Sequence, residues 1–269
     1  MGCRQEFRRN ETGDCRTVVS RKEEKSMLYK YETHLHTKEA SACARASGRD
    51  MAYAAKEYGY TGIIVTDHNW GGNTCVDRNL PWEDFVEQFC KGYEVALEAG
   101  REIDLDVFYG WEAGYQGTEF LIYGLDKKWM LEHPEIRDAS VQEQFELVDK
   151  SGGLVIHAHP YREEWYIPQI RLYPEYVHGV EAINATHSHP RSVSHNDPTY
   201  NPLAIEYAQK HGFPMTAGSD IHGTDMFGGG MCFTRRLKDI HDFVNAVRNE
   251  ECVLLTDGVE DFDYAGLRA

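Results

Sequence analysis

Hydrophobic and polar positions follow two rhythms along this chain. Residues 28–36 (LYKYETHLH) alternate with period two, and the stretch reads as a strand ending in two histidines. Short apolar runs at 61–66, 105–110, 119–123, 154–156, 179–183, 214–217, 231–234 and 253–256 read as further strands. Helical spacing fills the gaps at 50–59, 81–99, 141–150, 202–211 and 239–247, with Asp50 as a cap for the first helix and Gly59 as its stop. Gly71, Gly72 and Asn73 form a loop. Such alternation predicts parallel βαβ units and an α/β barrel of six to eight strands, eight being the default from pattern alone, with the active site at the C-terminal ends of the strands. No linker or repeat divides residues 27–269, and the stretch after Asp257 carries no clear signal.

Charge and composition narrow the picture. Residues 1–26 form an Arg-rich, charged segment with little to bury, expected to be a disordered tail; Met27 leads straight into the first strand, so a native start there is also an expectation. At 41% hydrophobic and 12% aromatic, the rest can bury a sizeable core. A formal net charge of −16 argues against a stable nucleic-acid complex or an anionic membrane surface as partner. No run of about 18 apolar residues is present. The seven cysteines are scattered without a CxxC pair, which fits neither a disulfide framework nor a zinc knuckle and points to a reducing cytoplasm.

Histidine placement changes the picture most. Eight of the thirteen histidines fall at strand termini, as His34 and His36, His68, His157 and His159, His187 and His189, and His222, joined there by Glu112 and Asp220. An H-x-H at a strand end puts both imidazoles on one face, because the pleat repeats every two residues, and Asp220-Ile221-His222 repeats that spacing with a carboxylate. Imidazole and carboxylate donors suit Zn, Mn or Fe, and a glutamate can bridge two cations. The alternative for any one of these residues is a solvated strand end or a packed histidine; five such clusters at five strand ends favour a metal site.

In this order the motifs resemble the PHP (polymerase and histidinol phosphatase) family. They are Glu32-Thr33-His34-Leu35-His36-Thr37, Ile63-Ile64-Val65-Thr66-Asp67-His68-Asn69, Gly110-Trp111-Glu112, His157-Ala158-His159-Pro160-Tyr161-Arg162, Val180-Glu181-Ala182-Ile183-Asn184 and Gly218-Ser219-Asp220-Ile221-His222-Gly223. The resemblance spans residues 29–234 and implies a distorted (β/α)7 TIM-like barrel, two or three divalent metals at its C-terminal face, and phosphoester hydrolysis. Carried over, it implies that His34, His36 and Asp220 hold one metal together with a bridging Glu112. His159 joins Glu112 on a second, helped by His187 or His189, with His189 preferred as lying further along the loop. His68 and His222 belong to a third. Where many family members offer an Asp or His after the H-x-H, this chain departs from the pattern, and Glu39 is the substitute; Cys43 lies close by, and a thiolate there would favour zinc.

The implied chemistry is hydrolysis of a small phosphomonoester, with Glu112 central to the metals, His222 or His157 as proton donor to the leaving group, and Arg162 as a planar grip on phosphate. A salt bridge from Arg162 to Glu163 or Glu164 is its alternative. Tyr161, Trp165 and Tyr166 either stack on a substrate ring or belong to the core. Three other functions stay open: a nucleotide or nucleic-acid phosphodiesterase, an amidohydrolase-like C–N hydrolase, for which the usual bridging lysine has no counterpart, and a non-catalytic metal scaffold.

Overall fold

The computed structural model describes residues 27–268; the expected disordered tail over residues 1–26 lies outside them. The elements run β1 (Tyr29–Leu35), α1 (Gly48–Glu57), β2 (Gly62–Val65), α2 (Trp82–Phe89), α3 (Lys91–Ile103), β3 (Asp106–Tyr115), β4 (Thr118–Tyr123), α4 (Lys127–Glu132), α5 (Val141–Lys150) and β5 (Leu154–His157). They continue β6 (Gly179–Asn184), α6 (Ala185–Ser188), α7 (Tyr200–His211), β7 (Met215–Gly218), β8 (Gly229–Phe233), α8 (Ile240–Arg248), β9 (Leu254–Asp257), β10 (Asp261–Asp263) and α9 (Tyr264–Arg268).

The ten strands make one mixed sheet in the order β10-β9-β8-β1-β2-β3-β4-β5-β6-β7. Neighbours β1–β2, β2–β3, β5–β6 and β6–β7 are parallel; β3–β4, β4–β5, β1–β8, β8–β9 and β9–β10 are antiparallel. The expected strictly parallel βαβ pattern is therefore corrected. No helix separates β3 from β4, because Gln116 and Gly117, both at positive φ, turn the chain back as a two-residue hairpin. Pairing with β4 also carries β3 past Gly110 to Tyr115, so Glu112 lies within a strand rather than after one.

The sheet curls. Ile221, just beyond β7, returns to β1, where its N–H donates to the His34 carbonyl at 3.2 Å and its carbonyl accepts from His36 N at 3.0 Å. Thr33 Oγ1 adds a bond to the Ala217 carbonyl at 2.8 Å. Strand β1 thus pairs with β8 along its first half and meets Ile221 at its end. The pleat decides what faces where: Leu35 packs with Met51, Ile63, Val65 and Ile221, while His34 and His36 on either side of it turn the other way.

Helix α1 starts at a capping box in which Ser47 is the cap and Asp50 the third residue, correcting Asp50 as the cap itself. The single helix read over 81–99 is two, α2 and α3, joined at Cys90. Helices α1 and α3 cross with almost no gap, since a Cβ on Gly48 would stand 2.1 Å from the Gly92 carbonyl oxygen. A Cβ on Gly92 would in turn meet Thr37 Oγ1 at 1.9 Å, so the start of α3 bears directly on the loop after β1.

Candidate metal centre

One rim of the curled sheet collects the polar side chains. The ends of β1, β2, β5 and β7 and the middle of β3 reach it, and β4, running antiparallel to β3, delivers its first residues to the same place. Glu112 is at the centre. Its Oε1 lies 3.2 Å from His34 Nε2 and 3.1 Å from His159 Nε2; its Oε2 lies 2.8 Å from His68 Nδ1 and 3.5 Å from His36 Nε2. Asp220 Oδ1 lies 3.2 Å from His36 Nε2 and 3.4 Å from His34 Nε2. Asp220 has a φ of 52°, a left-handed turn that asparagine and aspartate tolerate best, and this turns it away from the path of β7.

Both carboxylates are at most 2% exposed. Burial alone would raise Glu112, yet the charges of His34 and His68 and the bond from His159 hold it well below the usual carboxylate range. Burial likewise opposes ionisation of Asp220, and His34 and Arg162 overcome it.

Four sets of donors have ligand atoms within 4.8 Å of one another: His34, His36 and Asp220; His34, Glu112 and His159; His36, His68 and His222; and His68, Glu112 and Glu119. His34 Nε2, His36 Nε2, His68 Nδ1 and Glu112 Oε2 are all buried without a hydrogen-bond partner, although they crowd together. Buried polar atoms are nearly always paired, so four orphans converging on one another fit a bound cation. The imidazoles are held from behind. Glu181 Oε1 meets His34 Nδ1 at 2.9 Å, and Glu181 Oε2 accepts from His159 N at 3.1 Å and from Asn184 Nδ2 at 3.0 Å. Asp67, whose carboxyl burial pushes up to about 6, accepts from Thr37 N, Thr37 Oγ1 and Ser41 Oγ, each at 2.6 Å, and so ties the loop after β1 to the end of β2.

His34, His36, His68, Glu112, His159, Asp220 and His222 are therefore brought together, and four sequence expectations are corrected. Glu39 stands apart: its Oε2 accepts from Gly48 N at 3.1 Å, serving the start of α1. His157 is fully buried, with neither nitrogen paired, among Phe120, Tyr173 and Tyr207. Burial, then His159, pushes its pKa down to about 3. The H-x-H rule fails there because β5 ends at His157 and the backbone turns at His159, whose φ is 28°.

His189 is the third correction. Residues 185–188 form a helical turn rather than a loop, so residues two apart point in opposed directions. His187 faces inward, its Nε2 accepting from Arg162 Nε at 3.2 Å, while His189 Nδ1 accepts from Arg191 N at 3.1 Å. The fourth is Arg162. It is buried and donates to Asp220 Oδ2 at 2.6 Å and Thr186 Oγ1 at 3.1 Å, with no bond to Glu163 or Glu164, so its fork is engaged inside the site.

Glu119 joins them from near the start of β4, a position that strand ends alone do not reveal. Its Oε1 lies 3.5 Å from His68 Nδ1 and its Oε2 3.6 Å from His159 Nε2. The signal for it was the Gln116-Gly117 hairpin, which puts the start of one strand level with the end of another.

Above these residues opens a cavity of about 500 Å³, bordered by His68, Glu112, Glu119, Arg162, Asp220 and His222. Trp165, 92% exposed, and Tyr166 stand at its mouth rather than in the core. Cys43 also lines it; burial pushes this thiol up, but side-chain bonds from His222 and His68 bring it to about 7.

Part of the sequence and the overall fold are similar to known proteins. Residues 198–252 match a family described as PHP-associated. The fold resembles a two-domain protein containing a predicted PHP-like metal-dependent phosphoesterase from Bacteroides vulgatus ATCC 8482, with a TM-score of 0.62 and 16% identity over 85% of this chain. The chain spans 64% of the length of that protein. It also resembles PsfC from Pseudomonas syringae PB-5123, with a TM-score of 0.54 and 15% identity over 81% of this chain and 88% of that one. No curated protein matches the sequence. The match over residues 198–252 is to a PHP-associated family, as the ordered motifs between Glu32 and Gly223 led one to expect, and the likeness to the solved structures is one of α/β fold.

Proposed function

We propose that this protein is a metal-dependent phosphoesterase acting on a small phosphomonoester. The observation that carries the reading is Glu112, a buried carboxylate within 3.5 Å of four histidines at the base of an open cavity. Its donors would hold two or three divalent ions such as Zn, Mn or Fe: His34, His36 and Asp220 with Glu112 for one, Glu112 and His159 for a second, His68 and His222 for a third. Such ions, when bound, supply positive charge for phosphoryl oxygens and lower the pKa of a water to roughly 7.

The chain's own groups do the rest. Arg162, fixed by Asp220 and Thr186, adds a positive charge to the cavity wall. Where no third ion is bound, His222, a quarter exposed on that wall, can pass a proton to a departing alkoxide, while Glu181 and Asp67 keep the imidazoles and their loop in place. A cavity of about 500 Å³ fits a small molecule, and the −16 charge disfavours a long polyanion. The meeting of Ile221 with β1 supports reading the curled sheet as a distorted (β/α)7 barrel within a single domain from residue 27 onward. Free thiols fit a cytoplasmic setting, and no helix among the described residues is long and apolar enough to cross a membrane.

The test is a panel of phosphomonoesters, oligonucleotides and amides offered to metal-stripped protein refilled with Mn or Zn, beside Glu112→Gln and His34→Ala. Release of phosphate from small monoesters that depends on metal and disappears in both variants supports the reading. Cleavage confined to oligonucleotides or amides, or none by metal-loaded protein, overturns it.

A further inference from the structure

The mouth of the cavity carries an aromatic surface that the function above leaves unused. Trp165 is 92% exposed and Tyr166 40%, their rings stand edge to face at 5.6 Å, and both residues border the cavity. Tryptophan offers more apolar area to a core than almost any other side chain, so a bare indole forgoes that burial.

The backbone beneath these rings is braced. Residues 158–178 contain no helix or strand, yet they sit on the tip of the β3–β4 hairpin. A Cβ on Gly117 would stand 3.1 Å from Ile167 Cα and 3.2 Å from the Tyr166 carbonyl oxygen, and Arg171 Nη1 donates to the Gln116 carbonyl at 3.1 Å. Ile167 N closes a turn around the two aromatics by donating to the Glu164 carbonyl at 2.9 Å. Glu164 Oε1 in turn meets His195 Nδ1 at 2.5 Å, which ties the segment to the one after α6. A bare ring on a braced backbone has little backbone freedom left to lose when something covers it.

Its place says what covers it. Arg162, three residues before Trp165, donates to Asp220, so one short stretch reaches from the candidate centre to the mouth. Gly71, Gly72 and Gly114 give the same cavity a stretch of bare backbone, packed so closely that a Cβ on Gly71 would stand 2.3 Å from the Gly114 carbonyl oxygen. A wall without side chains in the same cavity as an uncovered indole suits a flat group. Glu163 and Glu164, next to Trp165 in the chain, disfavour a ring that carries negative charge.

We propose that Trp165, backed by Tyr166, selects the alcohol half of the substrate: a phosphomonoester whose alcohol carries an uncharged, flat aromatic ring that stacks on the indole while the phosphate sits at the base. The inference rests on the phosphomonoesterase reading for the reaction, though not for the binding. Two matched pairs of probes separate stacking from plain apolar contact. 2-Phenylethyl and 2-cyclohexylethyl phosphate share a primary alcohol as leaving group and differ in whether the ring is flat; 3-phenylpropyl- and 3-cyclohexylpropylphosphonate are their non-hydrolysable counterparts. With the full chain refilled with Mn or Zn, calorimetry should find the phenyl phosphonate bound about three- to tenfold more tightly than the cyclohexyl one, and kcat/KM for the phosphates should show the same preference. Trp165→Ala should bring both ratios to about one, and Trp165→Phe should retain the preference.

Equal binding of the two phosphonates, or a preference that survives in Trp165→Ala, would overturn the stacking subsite and leave the phosphoesterase reading standing. Failure to bind either phosphonate would likewise overturn the subsite. A Trp165-dependent preference between the phosphonates, with neither phosphate hydrolysed, would support the subsite and count only against the proposed reaction. Trp165 fluorescence that responds to protein concentration and not to phosphonate would assign this face to a second copy of the chain and overturn the subsite.

Discussion

Replacing Gly92 with alanine sets two effects of opposite sign against each other. Alanine in a helix is worth about 1 kcal/mol over glycine, so at an open position α3 would gain. Here the new methyl would stand 1.9 Å from Thr37 Oγ1, 2.9 Å from Asp67 Oδ2 and 2.9 Å from Thr37 Cβ, well inside contact distance. Either α3 backs away from the loop, opening its tight crossing with α1 at Gly48, or Thr37 gives up its bond to Asp67. Overpacking costs about 1–3 kcal/mol, and a hydrogen bond to a charged group contributes about 1.5–3 kcal/mol. Subtracting the helix gain from either cost leaves a net loss of up to about 2 kcal/mol, or a fall in Tm of up to about 8 °C. Urea unfolding of metal-stripped protein measures it without interference from bound ions. Thr37→Ala in the same chain should be less than additive with Gly92→Ala, since it removes the nearest atom. A Gly92→Ala protein as stable as the parent, or more so, would refute the close approach and with it the claim that α3 props the loop after His36.

Four further outcomes are expected. Glu112→Gln should lose bound metal by elemental analysis and, with it, all metal-restored activity; full stoichiometry in this variant would remove Glu112 from the centre. Glu181→Gln should keep the fold and lower metal affinity about 10- to 100-fold, because His34 and His159 lose a shared brace; unchanged affinity in a chelator competition would show that the brace is dispensable. His157→Phe should change kcat/KM by less than about threefold and leave stability equal or higher, since a histidine with two unpaired nitrogens becomes apolar; a hundredfold loss of activity would restore His157 as a catalytic group. Chelation should lower thermal stability, and metal returned at about 100 times its Kd should restore about 2.7 kcal/mol; identical melting with and without metal would contradict the set of orphaned donors.

Local pattern carried far into this molecule and stopped where pairing begins. Buried runs such as Gly62–Val65 and Leu154–His157 announce strands through composition alone, and the alternation through β1 sets His34 and His36 on one face. What a run cannot report is its partner. The antiparallel β3–β4 pair lengthens β3 and brings Glu119 to the rim, and neither effect is visible in a search for strand ends. His157 and His189 fail for a related reason: the two-residue period holds only while the backbone is extended, and it ends at His159 and at α6. Glu39 follows the H-x-H closely in sequence, while its actual partner is the N–H of Gly48 at the start of the next helix.

The meeting of β1 with the segment after β7 governs when the site can exist during synthesis. Thr33 bonds to Ala217, 184 positions away, and the histidine pair on either side of Leu35 lies within 3.4 Å of Asp220. Candidate donors from the first strand must therefore wait on the ribosome until nearly the whole sheet has emerged, and such non-local closure is intrinsically slow. No amino-terminal fragment ending before Asp220 can assemble the full set of donors. A cation captured at closure would act as a clasp, locking the two ends of the curled sheet after everything between them has been made.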